Sequence, residues 1–381
     1  MWVKKNAAQC SGCGLCASIC QQKAIAMVLD QNGFMYPQID ETRCTHCNAC
    51  VKVCPFQQSN DGGNIPLASY AVMHTQTVRE KSSSGGFFTA LSDHILSQKG
   101  VVYGAVWTDE YAVTHIRADN ACDRDRMRSS KYVQSDITGV FSQIKADVAA
   151  NIPVLFTGTP CQCAAITKMF GGKQPENLYI MDVICHGVMP QPFMHAYLQH
   201  VCKKNGKQMT AVNLRDKRFG WQTVGVEFSD GTVYHSEDDY FYQAYAMHAL
   251  QRPACFSCAC AKEARFSDFT AGDFWGIQKN HPELYDDLGV SLVLINSQRA
   301  RALLSDLGED IKIVPVRPED YLLYQPNLRK PTEYGKRAEE FSKYYQKHGY
   351  EKTMHRFFDV TLMRKINTLG YSILKKLLPE K

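Results

Sequence analysis

Between residues 66 and 300 the chain alternates short apolar runs with longer stretches in which apolar residues return every three or four positions. Runs of the first kind, Val101–Trp107, Pro153–Phe156 and Leu178–Ile184, predict buried strands. The second pattern predicts helices over Phe87–Leu96, Ile137–Val148 and Phe193–Cys202, opening after Gly86, Asp136 and Pro192. Val224–Phe228 and Thr232–His235 flank Ser229-Asp230-Gly231, which predicts an antiparallel hairpin. The body is therefore α/β (α+β), a mixed sheet with helices against it and an antiparallel insertion.

The pattern changes on either side of that body. Gln57-Gln58-Ser59-Asn60-Asp61-Gly62-Gly63-Asn64 is a polar linker. It separates a head, residues 1–57, from the two parts of the body, 66–150 and 151–320, and a tail follows at 321–381. From residue 329 onward thirteen Lys/Arg face six Asp/Glu. Leu362, Ile366, Leu369, Ile373 and Leu377 recur there at helical spacing, with Arg364, Lys365, Lys375 and Lys376 around them. A basic amphipathic helix of this kind either docks on its own body or meets a membrane surface or a partner. The whole chain has 381 residues, 45% of them apolar, and a net charge of +5, which excludes disordered and collagen-like classes. Its best apolar runs, such as Gly289–Ile295, fall well short of the roughly 20 residues of a membrane span. Met1–Asn6 holds no apolar core before Cys10, so no secretory signal is expected and a reducing cytoplasm is the default. No nucleic-acid partner is expected.

Sixteen cysteines in a reducing compartment point to metal or redox chemistry rather than to disulfides. Cys10, Cys13, Cys16, Cys20 and Cys44, Cys47, Cys50, Cys54 form two runs that superpose with an offset of 34 residues. C-x2-C-x2-C-x3-C places three thiolates on a tight loop and a fourth one helical turn beyond, which suits a cubane. Zinc sites instead pair two C-x2-4-C knuckles and need no third cysteine two residues on. Two [4Fe-4S] clusters follow, in a small two-cluster ferredoxin-like head. In that arrangement the fourth cysteine crosses over: Cys10, Cys13, Cys16 and Cys54 would hold one cluster, and Cys44, Cys47, Cys50 and Cys20 the other. Gly12, Gly14 and Ala49 are small enough to let amides approach the sulfides. Pro55 follows the second run, whereas Gln21 stands at that place in the first.

The body carries further candidates. Ser82-Ser83-Ser84-Gly85-Gly86 precedes an apolar helix, so small hydroxyls, amides and a helix N-terminus converge as an anion-binding nest, or else simply as a cap. Phe156-Thr157-Gly158-Thr159-Pro160-Cys161-Gln162 and Asp182-Val183-Ile184-Cys185-His186-Gly187 each end a strand, where open α/β sheets place ligands. With the Cys255-x2-Cys258 knuckle, Cys161 and Cys185 make four soft ligands, enough for a third [4Fe-4S] cluster. Cys122 and Cys202 are read as buried packing residues, and Cys163 and Cys260 stay open as alternates or neighbours.

These pieces carry a family resemblance. Ser83-Ser84-Gly85-Gly86, Ser130-Lys131-Tyr132-Val133-Gln134-Ser135, the Cys161 and Cys185 loops, Arg215-Asp216-Lys217-Arg218, Cys255-x2-Cys258 and Gly272-Asp273-Phe274-Trp275-Gly276 run in order over about residues 66 to 300. The body resembles the beta subunit family of coenzyme F420 hydrogenases and dehydrogenases, which includes 7-hydroxymethyl chlorophyll a reductase. The head resembles the fused heads of bacterial members. The resemblance implies FAD with an iron-sulfur cluster close by, linking a ferredoxin-like one-electron donor to a small two-electron acceptor. It places Ser83, Ser84, Gly85, Gly86, Lys131, Gln134, Gly158, Thr159 and Gln162 along the flavin. It also makes Lys131, His186 and Asp273 the candidate catalytic residues. Coenzyme F420, another deazaflavin, a carbohydrate or cell-surface precursor, and a tetrapyrrole-like ring are all compatible acceptors. The alternative implied by the same family is an electron-transfer beta subunit of a larger complex that uses coenzyme F420.

Overall fold

The computed structural model describes residues 7–57, 62–221, 223–236 and 239–359. In the head, each cysteine run ends in a short helix, Leu15–Ser18 and Ala49–Val53. The residue before each helix is left-handed, Gly14 at φ +75° and Asn48 at φ +59°. Glycine and asparagine are the residue types that accept this conformation, and the two occupy equivalent positions of the repeat. An antiparallel pair, β1 (Ile25–Leu29) and β2 (Met35–Ile39), joins the halves with Ile25 opposite Ile39.

The body is built on an eight-stranded mixed sheet. Its strands are β3 (Ala68–His74), β4 (Val101–Trp107), β5 (Val113–Ala118), β6 (Val154–Gly158), β7 (Leu178–Val183), β11 (Phe269–Asp273), β12 (Ser291–Ile295) and β13 (Ile311–Val316). They lie in the order β13-β3-β12-β11-β7-β6-β4-β5. β4, β6, β7 and β11 are parallel neighbours, flanked by antiparallel partners on both sides. The expected strands and helices are present, with ends that shift by a few residues. The helix expected from Ile137 opens instead as a 3-10 turn, Thr138–Val140, and becomes α-helical at Phe141–Ala149. The Asp136 carboxylate accepts the Thr138 amide there, a local bond that competes with helix geometry.

Alternate strand residues pack on opposite faces. Val102, Val106, Leu155 and Met181 meet the helices Phe87–Ser97 and Gln298–Leu304 on one face. Val101, Tyr103, Val154, Phe156 and Ile180 meet Phe141–Ala149 and Pro160–Met169 on the other. Leu15 of the head, fully buried, belongs to this second core, so head and body share packing. A separate core joins the helices Gln191–Asn205 and Tyr240–Ala246 to the antiparallel strands β8 (Met209–Asn213), β9 (Val224–Phe228) and β10 (Val233–Ser236). The helix Lys336–Phe358, bent at Gly349, docks there through Ala338, Phe341, Tyr350, Met354 and Phe358. The predicted apolar face Leu362–Leu377 lies outside the described residues. No described helix is long and apolar enough to cross a membrane.

Because β6, β7 and β11 run parallel, their C-terminal ends share one rim. Those ends lead into Thr159–Cys161, Ile184–His186 and Asp273. β3 runs the same way as β11, since both are antiparallel to β12. Its C-terminal end therefore brings the Ser82–Gly86 turn to that rim as well.

Candidate functional site

A cavity of about 330 Å³ in the head is lined by Cys10, Cys13, Cys16 and Cys54 together with Gly12, Gly14 and Pro55. Cys54 of the second run thus lies at one cavity with the first three cysteines of the first run. Burial, with a smaller contribution from thiolates at Cys10, Cys54 and Cys161, pushes the Cys13 thiol up to about 12. Four mutually repelling thiols around one void fit an iron-sulfur cluster, whose irons supply the missing positive charge. Burial likewise raises Cys50, with Cys44 and Cys47 beside it. Cys44 also shares its surroundings with Glu41 and His46, whose ligand atoms lie within 4.8 Å of its sulfur and of each other. Cys20, at the turn into β1, accepts the Ala24 amide at 3.3 Å.

The body rim encloses a larger cavity of about 1020 Å³. Cys161, Cys185, Cys255 and Cys258 all line it, although they come from three separated segments. Burial raises Cys161 to about 11, Cys255 to about 12 and Cys185 well above its usual range, and each is raised further by thiolates of the others. Cys258 is lowered to about 7, because the thiol of Cys260 donates to it. Beside them stands Arg265, 2% exposed, whose Nε and Nη2 find no hydrogen-bond partner among the described residues. Its nearest carboxylate, Asp182, is 3.8 Å away. A buried guanidinium with orphaned donors next to four thiols fits an anionic cluster held by those thiols.

The remaining cysteines separate cleanly. Cys163 is wholly buried, and its thiol donates to the Met181 carbonyl at 3.6 Å, so it packs in the core. Cys260 lines the cavity as a neighbour of Cys258. Cys202 is half-buried at the edge of the core around helix Gln191–Asn205. Cys122 departs from expectation: it is exposed on the short helix Ala121–Asp125, whose other side faces the body.

The same cavity reaches Ser83, Ser84, Gly86, Phe87 and Phe88. The first amides of the Phe87–Ser97 helix have no acceptor within their own helix and open beside these serines. Two cations, the buried Arg215 and the half-buried Lys217, shape the turn. Arg215 Nη2 donates to the Ser83 carbonyl at 2.9 Å, and Lys217 Nζ to the Ser84 carbonyl at 2.8 Å. Gly85 faces the other way: its amide donates to Ser291 Oγ at 2.8 Å, and an added Cβ would lie 2.0 Å from the Val72 carbonyl oxygen. The Arg215-Asp216-Lys217-Arg218 motif thereby acquires a role that its sequence did not state. A cavity of this size with hydroxyls, amides and cations at one end fits a nucleotide cofactor.

The other candidates divide. Gly158, Thr159 and Gln162 all line the cavity, and Gln162 also spends its amide on a capping box with Thr159 and on the Ser135 carbonyl. Lys131 is buried and donates to the carbonyls of Arg126, Met127, Arg128 and Ser129 at 2.8–3.2 Å. Burial pulls its pKa down to about 7, while those four oxygens favour the ammonium. Asp273 is paired with Arg215 at 2.8 Å, which leaves its carboxylate committed rather than free. His186 lines the cavity and is lowered by burial first and by His248 second, so it is neutral near pH 7. Gln134 bridges to the head, with Nε2 donating to the Ser11 carbonyl at 3.0 Å.

Sequence reasoning missed several lining residues. His115 is buried against Phe156, bonded to Ser135 and to the Thr157 carbonyl, and lowered to about 4 by burial. Trp275 stacks on Trp221 at 5.7 Å beside the Ser83 turn. Of these, only Trp275 lay in a motif that the sequence had singled out.

Residues 153–320 match the C terminus of the beta subunit in the coenzyme F420 hydrogenase/dehydrogenase family. Residues 9–58 match a 4Fe-4S dicluster domain, and a second, overlapping dicluster match covers residues 36–84. NADH-quinone oxidoreductase subunit I 2 of Geobacter metallireducens is 34% identical over 73 residues, which are 18% of this chain and 56% of that protein. The chain thus spans little more than half of that relative's length. A chain in the structure of the F420-reducing [NiFe] hydrogenase complex from Methanosarcina barkeri is similar with a TM-score of 0.48 and 18% identity, covering 74% of this chain and 91% of that one.

Proposed function

We propose an FAD-dependent oxidoreductase, starting from an iron-sulfur electron-transfer protein that carries the C-terminal domain of the beta subunit of the coenzyme F420 hydrogenase/dehydrogenase family. The two cysteine runs of the head would hold two clusters, and Cys161, Cys185, Cys255 and Cys258 a third; together these would supply one-electron carriers between a ferredoxin-type donor and the flavin end of the cavity. The observation that carries this reading is that those four cysteines line one cavity with Ser83, Ser84 and Gly86, and that Cys161 lies close enough to Cys13 of the head to act on it electrostatically. Bound FAD would supply the exchange between one-electron and two-electron carriers.

The protein's own residues do the rest. Ser83, Ser84 and the first helical amides hold the pyrophosphate, and Arg215 and Lys217 keep that turn in shape. Neutral His186, at the cavity wall, is the group placed to hold or pass a proton near pH 7. Arg215 fixes the Asp273 carboxylate at the same wall. The acceptor is a small two-electron carrier, of which coenzyme F420 is one class.

Anaerobically purified protein should contain about twelve iron and twelve sulfide per chain, from three [4Fe-4S] clusters, together with non-covalent FAD. A zinc-rich chain without broad visible absorption would overturn the cluster assignment. Clusters without flavin would overturn the cofactor assignment alone. A second reading, an electron-transfer subunit whose partner holds the substrate site, is favoured by the family match, whose description names hydrogenase and dehydrogenase beta subunits. It predicts flavin reduction by ferredoxin but no turnover of any free acceptor.

A further inference from the structure

Among the buried cations near the cysteines, Arg252 is bonded to both sets. It is 1% exposed. Its Nε donates to the carbonyl of Cys10 at 2.7 Å and its Nη2 to the carbonyl of Met35 at 2.9 Å, both in the head. Its Nη1 donates to Gln134 Oε1 at 2.7 Å, in the body. Its own carbonyl accepts the amide of Cys255 at 2.8 Å. The guanidinium lies over Tyr36 and Phe34, 4.3 and 5.4 Å from their ring centres. The fit is tight on the head side, where a Cβ added to Gly12 would lie 2.6 Å from Arg252 Nη1.

Every acceptor of this guanidinium is neutral. Arg215 has Asp273 as a counterion, but Arg252 enters no ion pair among the described residues. A buried, uncompensated guanidinium is strongly disfavoured unless negative charge stands close by. The charge available is that of the two cysteine sets. Cys10 lies on one side, bonded through its carbonyl, and Cys255 on the other, bonded through its amide, and Arg252 lines the same cavity as Cys161, Cys255 and Cys258. A cubane bound by four thiolates is a net anion, and reduction adds one more negative charge to it.

We propose that Arg252 is the shared counter-cation of the first head cluster and the body cluster, a positioning residue that stabilises the reduced form of each and so raises both reduction potentials. This rests on the cluster reading above. It explains why a charged residue is placed where the head meets the cysteine knuckle: an electron crossing the junction meets the same cation on both sides.

The test is an EPR-monitored redox titration of the anaerobically prepared holoprotein. Arg252→Gln should lower two of the three cluster potentials, each by at least about tenfold in the equilibrium constant for reduction, which is 59 mV for a one-electron couple. The cluster of Cys44, Cys47 and Cys50 should not move. Arg252→Lys, which keeps the charge, should stay near the wild type. Gln134→Glu sets a carboxylate against the guanidinium and should act as Arg252→Gln does, and it decides the matter if Arg252→Gln loses iron. Unmoved potentials in the neutralising variants overturn the proposal. A shift in Arg252→Lys as large as in Arg252→Gln also overturns it, since lost hydrogen bonds would then be the cause. Wild-type protein without iron would overturn the cluster reading itself, a distinct result seen before any variant is made.

Discussion

Leu15→Ala should loosen the head from the body without unfolding either. Leu15 is fully buried among Tyr103, Val140, Phe141 and Ile144, all residues of the body. The substitution removes three carbons, which at about 0.8 kcal/mol per buried methylene accounts for about 2.4 kcal/mol of transfer free energy. The space left behind cannot easily close. Its neighbour Gly14 is already wedged against Thr138, where an added Cβ would lie 2.3 Å from the Thr138 methyl. A residual cavity brings the expected loss to about 3 to 5 kcal/mol. The loss falls on the opening of the head, because the sheet keeps its own contacts on that face through Ile166 and Phe156. Hydrogen exchange read by mass spectrometry measures this directly. The amides of Ala17, Ser18 and Ile19, which bond back to Gly14 and Leu15, should exchange more than about a hundredfold faster. Those of β12 in the central sheet should be unchanged. An acceleration below about tenfold at the head, or one equal in head and sheet, would refute the claim that Leu15 pins the two together.

Two further outcomes follow from the cavity. Cys161→Ser and Cys258→Ser should keep the head clusters and the flavin but stop reduced ferredoxin from reducing the flavin, while dithionite still does; Cys122→Ser and Cys202→Ser should change nothing, and four variants behaving alike would remove the body cluster from the path. His115, with a folded pKa of about 4 against a usual 6.5, is neutral when folded, so its contribution is complete above pH 6.5 and is lost as pH falls toward 4. The full loss is about 3 kcal/mol, about 2 of it by pH 5, and urea midpoints compared at pH 7.5 and 5 should show a smaller acid loss in His115→Gln.

The cysteine spacing alone carried the head. A C-x2-C-x2-C-x3-C run is local chemistry, three ligands on one loop, and its repeat led to the crossed pairing; what the structure adds is that Cys54 lines one cavity with Cys10, Cys13 and Cys16. Short apolar runs and helical periodicity likewise marked β4, β6, β7, β9 and the helices that cover the sheet, because burial on one face leaves a periodic trace. The motifs at the ends of β6 and β7 were legible as ligand positions for the same reason: parallel strands end on one rim. What those motifs do was decided by tertiary structure. Lys131 and Gln162 line the cavity, and the structure adds what their motifs did not state: Lys131 is buried on the carbonyls of Arg126 to Ser129, and Gln162 reaches from its cap at Thr159 to the Ser135 carbonyl, 27 residues away. Arg252, Arg265 and Leu15 carry no periodic or motif signal of their own role. Each acts in part through partners more than 80 residues away, and a single arginine or leucine looks the same in sequence whether it lies in solvent or is buried in the fold.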